Sequence, residues 1–341
     1  MPVNPASFNA EVLPAYCGRF APSPTGPLHF GSLVAAVGSY LDARAHHGIW
    51  LLRMEDLDAP RCVPGAADGI LRTLEAFGLH WDGEVLYQGQ RAEAYEAALQ
   101  QLQSSGATYP CGCTRKEIAD SALQGIEGFV YPGTCRKGGA SPTPSPSPGG
   151  RGELRHVAWR VRTDKESVRA ELVEARNLPF DRLRANGVVE FQDALQGAVT
   201  QHLELEIGDF VVKRADGLFA YQLAVVVDDA AQGVTHVVRG ADLLASTPRQ
   251  IWLQGLLGLV TPAYMHLPVA VNAAGEKLSK QTLAAPVDSL DAAGTLWRVL
   301  TFLRQSPPPE LAGDLPELLA WAVRNWRPDV LRGLKALPAL A

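Results

Sequence analysis

The sequence predicts an α/β fold built on a parallel sheet, and three features of its first part carry this prediction. Residues 16–21 form a β-prone run that ends in a turn rich in Pro and Gly. Residues 30–47 then carry apolar side chains at helical spacing. Ile49–Met54 is a compact apolar run of the kind that forms a buried parallel strand. A strand, a helix and a second buried strand in this order are typical of a doubly wound sheet.

The composition is that of an ordinary globular protein. The chain has 341 residues, of which 47% are hydrophobic, and this length predicts about two domains. No apolar run approaches the roughly 18 residues that a membrane span needs, and the N-terminal residues lack a secretory pattern, so we expect a cytoplasmic protein with no membrane partner. The formal net charge of −5 argues against a surface coated in nucleic acid, whereas a local basic surface is compatible with it.

The turn between the first strand and the first helix has the features of an anion site. Three prolines fix the backbone φ angle, and Gly26 permits a conformation that other residues resist. The amides of a first helical turn point outward, and the helix dipole favours negative charge there. His29 and Gly31 stand at this position. By spacing alone, the segment fits an ordinary surface loop as well as a nucleotide site.

Residues 22–32 resemble the first signature of class I aminoacyl-tRNA synthetases in its glutamyl and glutaminyl form. His-Phe-Gly-Ser at positions 29–32 occupies the place of the motif "HIGH", and Ser32 departs from its final His. The resemblance implies a class I synthetase fold with a Rossmann-like parallel sheet, and ATP as a substrate with Mg²⁺. The residues that it implies in nucleotide binding here are Gly26, His29 and Gly31.

A second signature follows a predicted strand at Met265–Val271. Residues 277–281 read Lys-Leu-Ser-Lys-Gln, which alone is weak because lysine-rich loops are usually solvated. Together with the His29 signature, this segment resembles the class I "KMSKS" loop with two substitutions. The resemblance implies that its lysines stabilise the charge that develops as pyrophosphate leaves. The implied catalytic residues are His29, Lys277 and Lys280, with Ser279 and Lys280 also in nucleotide binding.

Two further segments resemble the amino-acid pocket of glutamyl-type synthetases. Ile49–Met54 runs into acidic residues that begin at Glu55, and such residues lie either in a solvated loop or at the crevice where ligands bind. Residues 208–229 predict a hairpin and an apolar helix, and residues 235–242 predict a buried strand. The resemblance implies a glutamate pocket formed by Arg19, Ala21, Ser23, Glu55, Tyr221 and Arg239.

The chemistry of glutamate agrees with that set of residues. A planar guanidinium pairs with a carboxylate bidentately, so Arg19 and Arg239 suit the two carboxylates of a dicarboxylic amino acid. By resemblance, Glu55 contacts the α-amino group. A simple core and turn is the alternative reading of the second half of the pocket.

Three of the five cysteines cluster in sequence. Cys111, Cys113 and Cys135 lie near Gly or Pro, and the odd number and uneven spacing of the five cysteines favour a metal site over disulfides. Buried cysteines without a ligand are the alternative. The stretch resembles the zinc-binding insertion of glutamyl-Q tRNA(Asp) synthetases, which implies one structural Zn²⁺ held by these three residues and Tyr131.

The predicted organisation has five parts. Residues 1–14 form a loose leader, 15–108 the first half of the catalytic domain, and 208–262 its second half. Residues 109–207 form the insertion, with flexible segments at 140–152 and 163–187, the second of which receives no function. Residues 263–341 hold the KMSKS-like loop and a short helical tail, with a Pro-rich break at 306–309 and a last helix around 315–326.

Both signatures, the cysteine set and the short tail predict a glutamyl-Q-type ligase. Such an enzyme activates L-glutamate with ATP without tRNA, and then transfers glutamate to the queuosine base at the wobble position of tRNA(Asp). We expect a monomer. The alternatives are a glutamyl-tRNA synthetase catalytic fragment that charges a tRNA 3′ end, a non-catalytic paralogue that binds glutamate or RNA, and another nucleotidyl transferase of the same superfamily.

Overall fold

The structure is a computed structural model of the chain. It describes residues 16–121, 124–125, 128–138, 157–164, 182–183, 187–272, 274–278 and 285–339. The predicted leader at 1–14, the segment 140–152 and most of 163–187 lie outside these ranges. Ser279 and Lys280 also lie outside them.

The strands of the described ranges are numbered in chain order. They are β1 Cys17–Phe20, β2 Ile49–Met54, β3 Leu86–Tyr87, β4 Thr108–Cys111, β5 Gln124–Gly125, β6 Gly128–Phe129, β7 Ala158–Val161, β8 Arg182–Leu183, β9 Val188–Asp193, β10 Gly197–His202, β11 Phe210–Lys213, β12 His236–Gly240, β13 Ala263–Leu267, β14 Val269–Val271 and β15 Ala336–Pro338.

The α-helices are numbered in the same way. They are α1 Phe30–Ala45, α2 Ala66–Ala76, α3 Ala92–Ser104, α4 Arg115–Ser121, α5 Leu203–Glu206, α6 Tyr221–Ala231, α7 Thr247–Leu257, α8 Ala292–Phe302 and α9 Leu315–Arg324. Three of these helices, α4, α5 and α8, were not predicted from the sequence.

Parallel strands form the centre of the fold. β1 pairs with β2 and β2 with β3, while β12 pairs with β13 and β13 with β9, all in parallel. The two groups meet at Cys17 and Thr235, where the Thr235 backbone N–H donates to the Cys17 carbonyl at 2.9 Å. This arrangement confirms the predicted α/β fold with a parallel sheet.

Two hydrophobic clusters attach the helices to these strands. One cluster contains buried residues of α1, α2, α8 and α9, such as Leu33 and Leu296. The other contains buried residues of α3, α6 and α7, such as Val225 and Trp252. Both clusters also include residues of the strands. The helices therefore hold the strands in place, and with them the polar side chains at the strand ends.

An antiparallel sheet of β4, β7 and β11 joins the predicted insertion to the predicted second catalytic half, to which β11 belongs. β9 pairs with β13 through Asp193 and Tyr264, and forms an antiparallel hairpin with β10. Residues 188–202 were predicted within the insertion, and this pairing joins them to the sheet of the second catalytic half. The domain bounds stay a prediction.

Two local features differ from the sequence-based expectation. The strand predicted at Met265–Val271 is divided at Pro268, since proline has no N–H for a sheet hydrogen bond. Ser246 precedes α7 and is of a residue type that often caps helices, but its backbone is already helical and its side chain makes no capping bond. Its hydroxyl instead accepts a hydrogen bond from Arg249 at 3.0 Å.

The C-terminal residues pack onto the catalytic half. β15 pairs in parallel with β14, and the indole N–H of Trp326 donates to buried Asp42 of α1 at 2.9 Å. The predicted last helix is confirmed as α9. Within the ranges that the structure describes, no helix has the length and apolar character needed to cross a bilayer.

Candidate active site

A cleft of about 1290 Å³ opens at the carboxyl ends of β1, β2 and β12. In doubly wound folds this edge of the sheet is where ligands bind. The cleft brings together nine of the predicted site residues: Arg19, Ala21, Ser23, His29, Gly31, Glu55, Tyr221, Arg239 and Lys277. Gly26 lies in the same turn, and Ser279 and Lys280 lie outside the described residues.

His29 is the N-cap residue of α1. Its Nδ1 accepts a hydrogen bond from the Ser32 backbone N–H at 3.3 Å, so the ring proton of the neutral form belongs on Nε2. Gly26 has a φ of 137°, the left-handed region that favours glycine. A Cβ on Gly31 would lie 3.3 Å from the His29 ring and 3.4 Å from the Leu278 carbonyl. Glycine therefore allows the segment after β14 to approach the start of α1.

Arg19 and Arg53 share one buried carboxylate, Asp229 of α6. Arg19 donates to it through Nε at 3.0 Å and Nη2 at 3.3 Å, and Arg53 donates through Nη2 at 2.6 Å. Burial would raise the pKa of Asp229, but the two guanidinium groups lower it below its ordinary value. The carboxylate is thus a fixed negative charge behind the cleft.

This ion pair changes how Arg19 can bind a substrate. From the sequence, we expected Arg19 to pair bidentately with a glutamate carboxylate. In the structure, the Nε–Nη2 edge of Arg19 faces Asp229. The outer Nη hydrogens of Arg19 are therefore the ones left for a carboxylate in the cleft.

Arg239 has a different set of partners. Its Nη1 donates to the Tyr221 hydroxyl at 3.4 Å, which joins the two predicted pocket residues. Its Nε donates to His266 at 3.1 Å, and its Nη2 donates to Thr247 at 2.8 Å. Burial raises the pKa of Tyr221, so this hydroxyl stays protonated.

Glu55 lies just after β2 and half-buried in the cleft wall, where its backbone N–H donates to the Pro22 carbonyl at 3.0 Å. Burial raises the pKa of its carboxyl to about 7, although Arg53 and Arg19 act to lower it. A bound ammonium group would favour the ionised form. Glu55 is therefore suited to an α-amino group.

Lys277 lines the cleft beside the start of α1. Its Nζ pairs with Asp242 at 2.5 Å, and its side chain is 46% exposed. Asp242 lies in the helical turn Ala241–Ser246 that follows β12. A phosphate group in the cleft would compete with Asp242 for this lysine.

Four charged or polar residues that lie behind the pocket arginines were not predicted from the sequence as site residues. These residues are Arg53, Asp193, Asp229 and His266. The consecutive aspartates Asp228 and Asp229 in an apolar helix were a usable signal. Asp228 has a separate structural role, since it accepts hydrogen bonds from Gln88, Arg91 and Tyr95.

The cysteine cluster has a geometry that can hold a metal ion. The sulfur atoms of Cys111, Cys113 and Cys135 all lie within 4.8 Å of one another. The Tyr131 hydroxyl lies 3.3 Å from Cys111 Sγ and 3.5 Å from Cys113 Sγ. Tetrahedral ligands about 2.3 Å from a zinc ion are separated by about 3.8 Å, so these atoms fit such a set.

Arg160 adds a charge argument to that fit. Its guanidinium lies 4.0 Å from the centre of the Tyr131 ring. Three thiolates and a phenolate carry more negative charge than one divalent cation neutralises. A buried guanidinium on the ring partly offsets this excess, which makes the phenolic oxygen a reasonable fourth ligand.

Comparison with known proteins identifies the class first. A family model described as tRNA synthetases class I (E and Q), catalytic domain, matches residues 17–130 and 163–302. The match takes in most of the chain and both walls of the cleft. The chain thus has the fold of a class I tRNA synthetase catalytic domain, as the sequence predicted.

Two relatives then narrow the family. The glutamyl-Q tRNA(Asp) synthetase of Aromatoleum aromaticum is 56% identical over 328 residues, which cover 96% of this chain and 94% of the relative. The protein of the same name from Dechloromonas aromatica is 56% identical over 329 residues, or 95% of this chain and 99% of the relative. The chain belongs to this family of glutamyl-Q tRNA(Asp) synthetases.

A solved structure supports the fold independently. The glutamate-tRNA synthetase of Elizabethkingia anophelis superposes with a TM-score of 0.70 at 21% sequence identity. The superposition covers 96% of this chain and 68% of that protein. At this level of identity the likeness speaks for the fold alone.

Proposed function

We propose that this protein activates L-glutamate with ATP in the absence of tRNA, and then transfers the glutamate to the queuosine base at the wobble position of tRNA(Asp). The names of its relatives support this assignment. The observation that carries it is the pair of arginines in the cleft wall, Arg19 and Arg239, because two guanidinium groups match the two carboxylates of glutamate and not the single carboxylate of glutamine.

Charged groups line the amino-acid end of the cleft and lie directly behind it. Arg19, Arg239 and Glu55 line the cleft, and Arg53 and Asp229 lie behind them. Glutamate has two carboxylates, which match the two guanidinium groups of the cleft wall, whereas glutamine has one. Arg19 and Arg239 would hold the two carboxylates, and Glu55 would hold the ammonium group.

In the first step, an oxygen of the glutamate α-carboxylate attacks the α-phosphorus of ATP. The bond from that phosphorus to the bridging β-phosphate oxygen breaks, and pyrophosphate leaves with the electron pair. His29 Nε2–H and the first-turn amides of α1 stabilise the negative charge on the phosphates. Lys277 and Lys280 stabilise the leaving pyrophosphate, and Mg²⁺ accompanies ATP in this class.

In the second step, a hydroxyl of queuosine attacks the carbonyl carbon of glutamyl-adenylate. An ester bond forms, the bond from the carbonyl carbon to the phosphate oxygen breaks, AMP leaves with its electron pair, and the hydroxyl proton is released.

We propose further that Cys111, Cys113, Tyr131 and Cys135 hold one structural Zn²⁺. We also propose that the protein is a monomer, that it acts in the cytoplasm, and that its partners are glutamate, ATP and queuosine-containing tRNA(Asp).

ATP–pyrophosphate exchange with glutamate, glutamine and aspartate, and with no tRNA present, tests the proposal. We expect exchange with glutamate, and none with glutamine or aspartate. Exchange that begins only after tRNA(Glu) is added would favour an aminoacylating synthetase. Absence of exchange in both conditions would favour a non-catalytic paralogue.

A pair of histidine variants makes this assay specific for the cleft. His29→Ala is expected to lower the exchange rate by about 10²–10³-fold, because a preorganised donor to the phosphates is lost. His80→Ala is the matched control, since His80 is exposed and lies outside the cleft. Equal activity of the two variants would remove His29 from the proposal.

A further inference from the structure

A chain of buried polar groups runs from the cleft into the sheet, through Arg239, His266 and Asp193. We propose that His266 and Asp193 are positioning residues, which fix the guanidinium of Arg239 for a carboxylate of the substrate. This inference rests on the proposed function, because it takes Arg239 as a glutamate-binding residue.

The position of the proton on His266 follows from the two partners of its ring. Its Nε2 lies 3.1 Å from Nε of Arg239, and its Nδ1 lies 2.6 Å from Oδ2 of Asp193. Arginine has donors and no acceptor, so the N–H of Arg239 requires an unprotonated Nε2. The proton of the neutral imidazole therefore lies on Nδ1, from which it is donated to Asp193.

Asp193 is held in place by the backbone of the turn that follows it. This residue ends β9, and its Oδ1 accepts backbone N–H groups from Leu195 at 3.0 Å and Gln196 at 2.8 Å in the turn to β10. The side chains of Asp193 and His266 are both fully buried. Because Oδ1 is held by the turn, Oδ2 has one fixed direction, and this direction sets the imidazole orientation and tautomer.

Arg239 has two further partners, Thr247 and Tyr221. Nη2 donates to Thr247 Oγ1 at 2.8 Å, and this oxygen also lies 3.1 Å from His266 Nε2. Two of the three guanidinium nitrogens are thus held on the protein side. The third, Nη1, lies beside the Tyr221 hydroxyl, and both residues line the cleft.

His266 is neutral at physiological pH because the effect of burial on its pKa outweighs that of the acidic groups that face it. Five polar or charged residues surround the ring. They are Arg239 on β12, Asp242 in the following turn, Asp193 on β9, Tyr264 on its own strand and Thr247 on α7. Burial lowers the pKa of His266 and outweighs the hydrogen bond to Asp193, which gives a value of about 4. A second proton on the ring would place two donors face to face at Arg239.

The variant Asp193→Asn tests this arrangement with almost no change in shape. Its Oδ1 can still accept the turn amides, but its amide nitrogen now donates toward His266. His266 must then accept at Nδ1 and carry its proton on Nε2, where it opposes the N–H of Arg239. We expect the KM for glutamate to rise by about tenfold or more, with the KM for ATP changed by less than about twofold.

Two substitutions of His266 form a matched pair. In His266→Gln the amide lies near the position of Nε2 and can still accept from Arg239. In His266→Asn it lies near the position of Nδ1 and can still donate to Asp193. Each variant removes the same ring and one hydrogen bond, so similar losses in thermal stability are expected. Only His266→Asn should raise the glutamate KM as Asp193→Asn does.

Calorimetric titration of glutamate separates this inference from the proposed function. If the wild type binds glutamate without catalysing exchange, the proposed function fails, and the binding constants of the variants still decide the inference. Weaker glutamate binding in Asp193→Asn and His266→Asn, with His266→Gln close to the wild type, would support it. Equal effects of both His266 variants, unchanged binding in Asp193→Asn, or no glutamate binding by the wild type would overturn it.

Discussion

Glu55 is an ionisable group of the cleft whose charge changes near neutral pH. Its ordinary pKa is 4.5, and burial raises it to about 7 against the opposing effect of Arg53 and Arg19. Between these two pH values the folded protein binds a proton that the unfolded chain has lost. The free energy of unfolding therefore falls as pH rises through this window. The cost of an ionised Glu55 is offset when an ammonium group binds.

Glutamate binding should consequently improve as Glu55 ionises. We expect the KM for glutamate in the exchange assay to fall by about tenfold between pH 6 and pH 8, because the ionised fraction of a group with a pKa of about 7 changes by that factor. Glu55→Gln should have a high KM that does not vary with pH. A flat wild-type profile over this range would show that the charge of Glu55 does not control binding.

The same substitution has an opposite effect on stability. Glu55→Gln should raise the melting temperature at pH 8, where the wild type holds an ionised carboxylate that its surroundings disfavour, and the difference should shrink toward pH 5, where Glu55 is protonated. Thermal melts of the two proteins across this range measure the effect. A variant that is less stable than the wild type at pH 8 would indicate that Glu55 is stabilised by its arginine neighbours.

The residues of the cleft differ in how well the sequence predicts them. His29, Glu55, Tyr221 and Arg239 stand in short motifs, and the structure brings them to one cleft. Their supporting partners are distant in sequence, since 73 positions separate Asp193 from His266 and 210 separate Arg19 from Asp229. Such contacts depend on strand order and register, which local sequence patterns do not contain.

At the scale of elements, the strand–turn–helix unit around β1 and α1 is the best predicted part of the chain. Its proline and glycine turn, its apolar periodicity and its buried second strand are all local signals. The hairpin of β9 and β10 is different, because its attachment to β13 is a tertiary contact. This explains why residues 188–202 were grouped with the insertion.

The cysteine segment gives a prediction at the same scale. The purified protein should contain about one zinc ion per chain, and Cys113→Ser or Cys135→Ser should lose it, because each removes one of four ligands. Cys62→Ser is the control, since Cys62 lies outside the cluster. Elemental analysis and thermal melts with and without a chelator provide the measurements. Zinc retained by both cluster variants would contradict the assigned ligands.

At the scale of the whole molecule, the C-terminal residues complete the core of the catalytic half. Buried Asp42 of α1 accepts hydrogen bonds from Trp326 at 2.9 Å and from Tyr16 at 2.5 Å. Trp326, Leu318 and Leu331 belong to the same hydrophobic cluster as α1. The tail thus supports the helix whose N-terminus lies at the cleft.

Removal of the indole hydrogen bond should therefore destabilise the protein. We expect Trp326→Phe to lower the free energy of unfolding by about 1–3 kcal/mol, because Asp42 stays buried with one partner fewer. Trp297→Phe is a matched control, since the buried indole nitrogen of Trp297 has no hydrogen-bond partner among the described residues. Urea denaturation compares the two. Equal losses would assign the effect to ring packing.

The location of transferred glutamate tests the central claim most directly. Radiolabelled glutamate, ATP and the protein are incubated with tRNA(Asp) that carries queuosine, with tRNA(Asp) that lacks it, and with queuosine-containing tRNA(Asp) from which the 3′-terminal CCA has been removed. The account predicts equal labelling of both queuosine-containing tRNAs and none of the tRNA without queuosine. Labelling that requires the intact CCA end, and that is independent of queuosine, would contradict it.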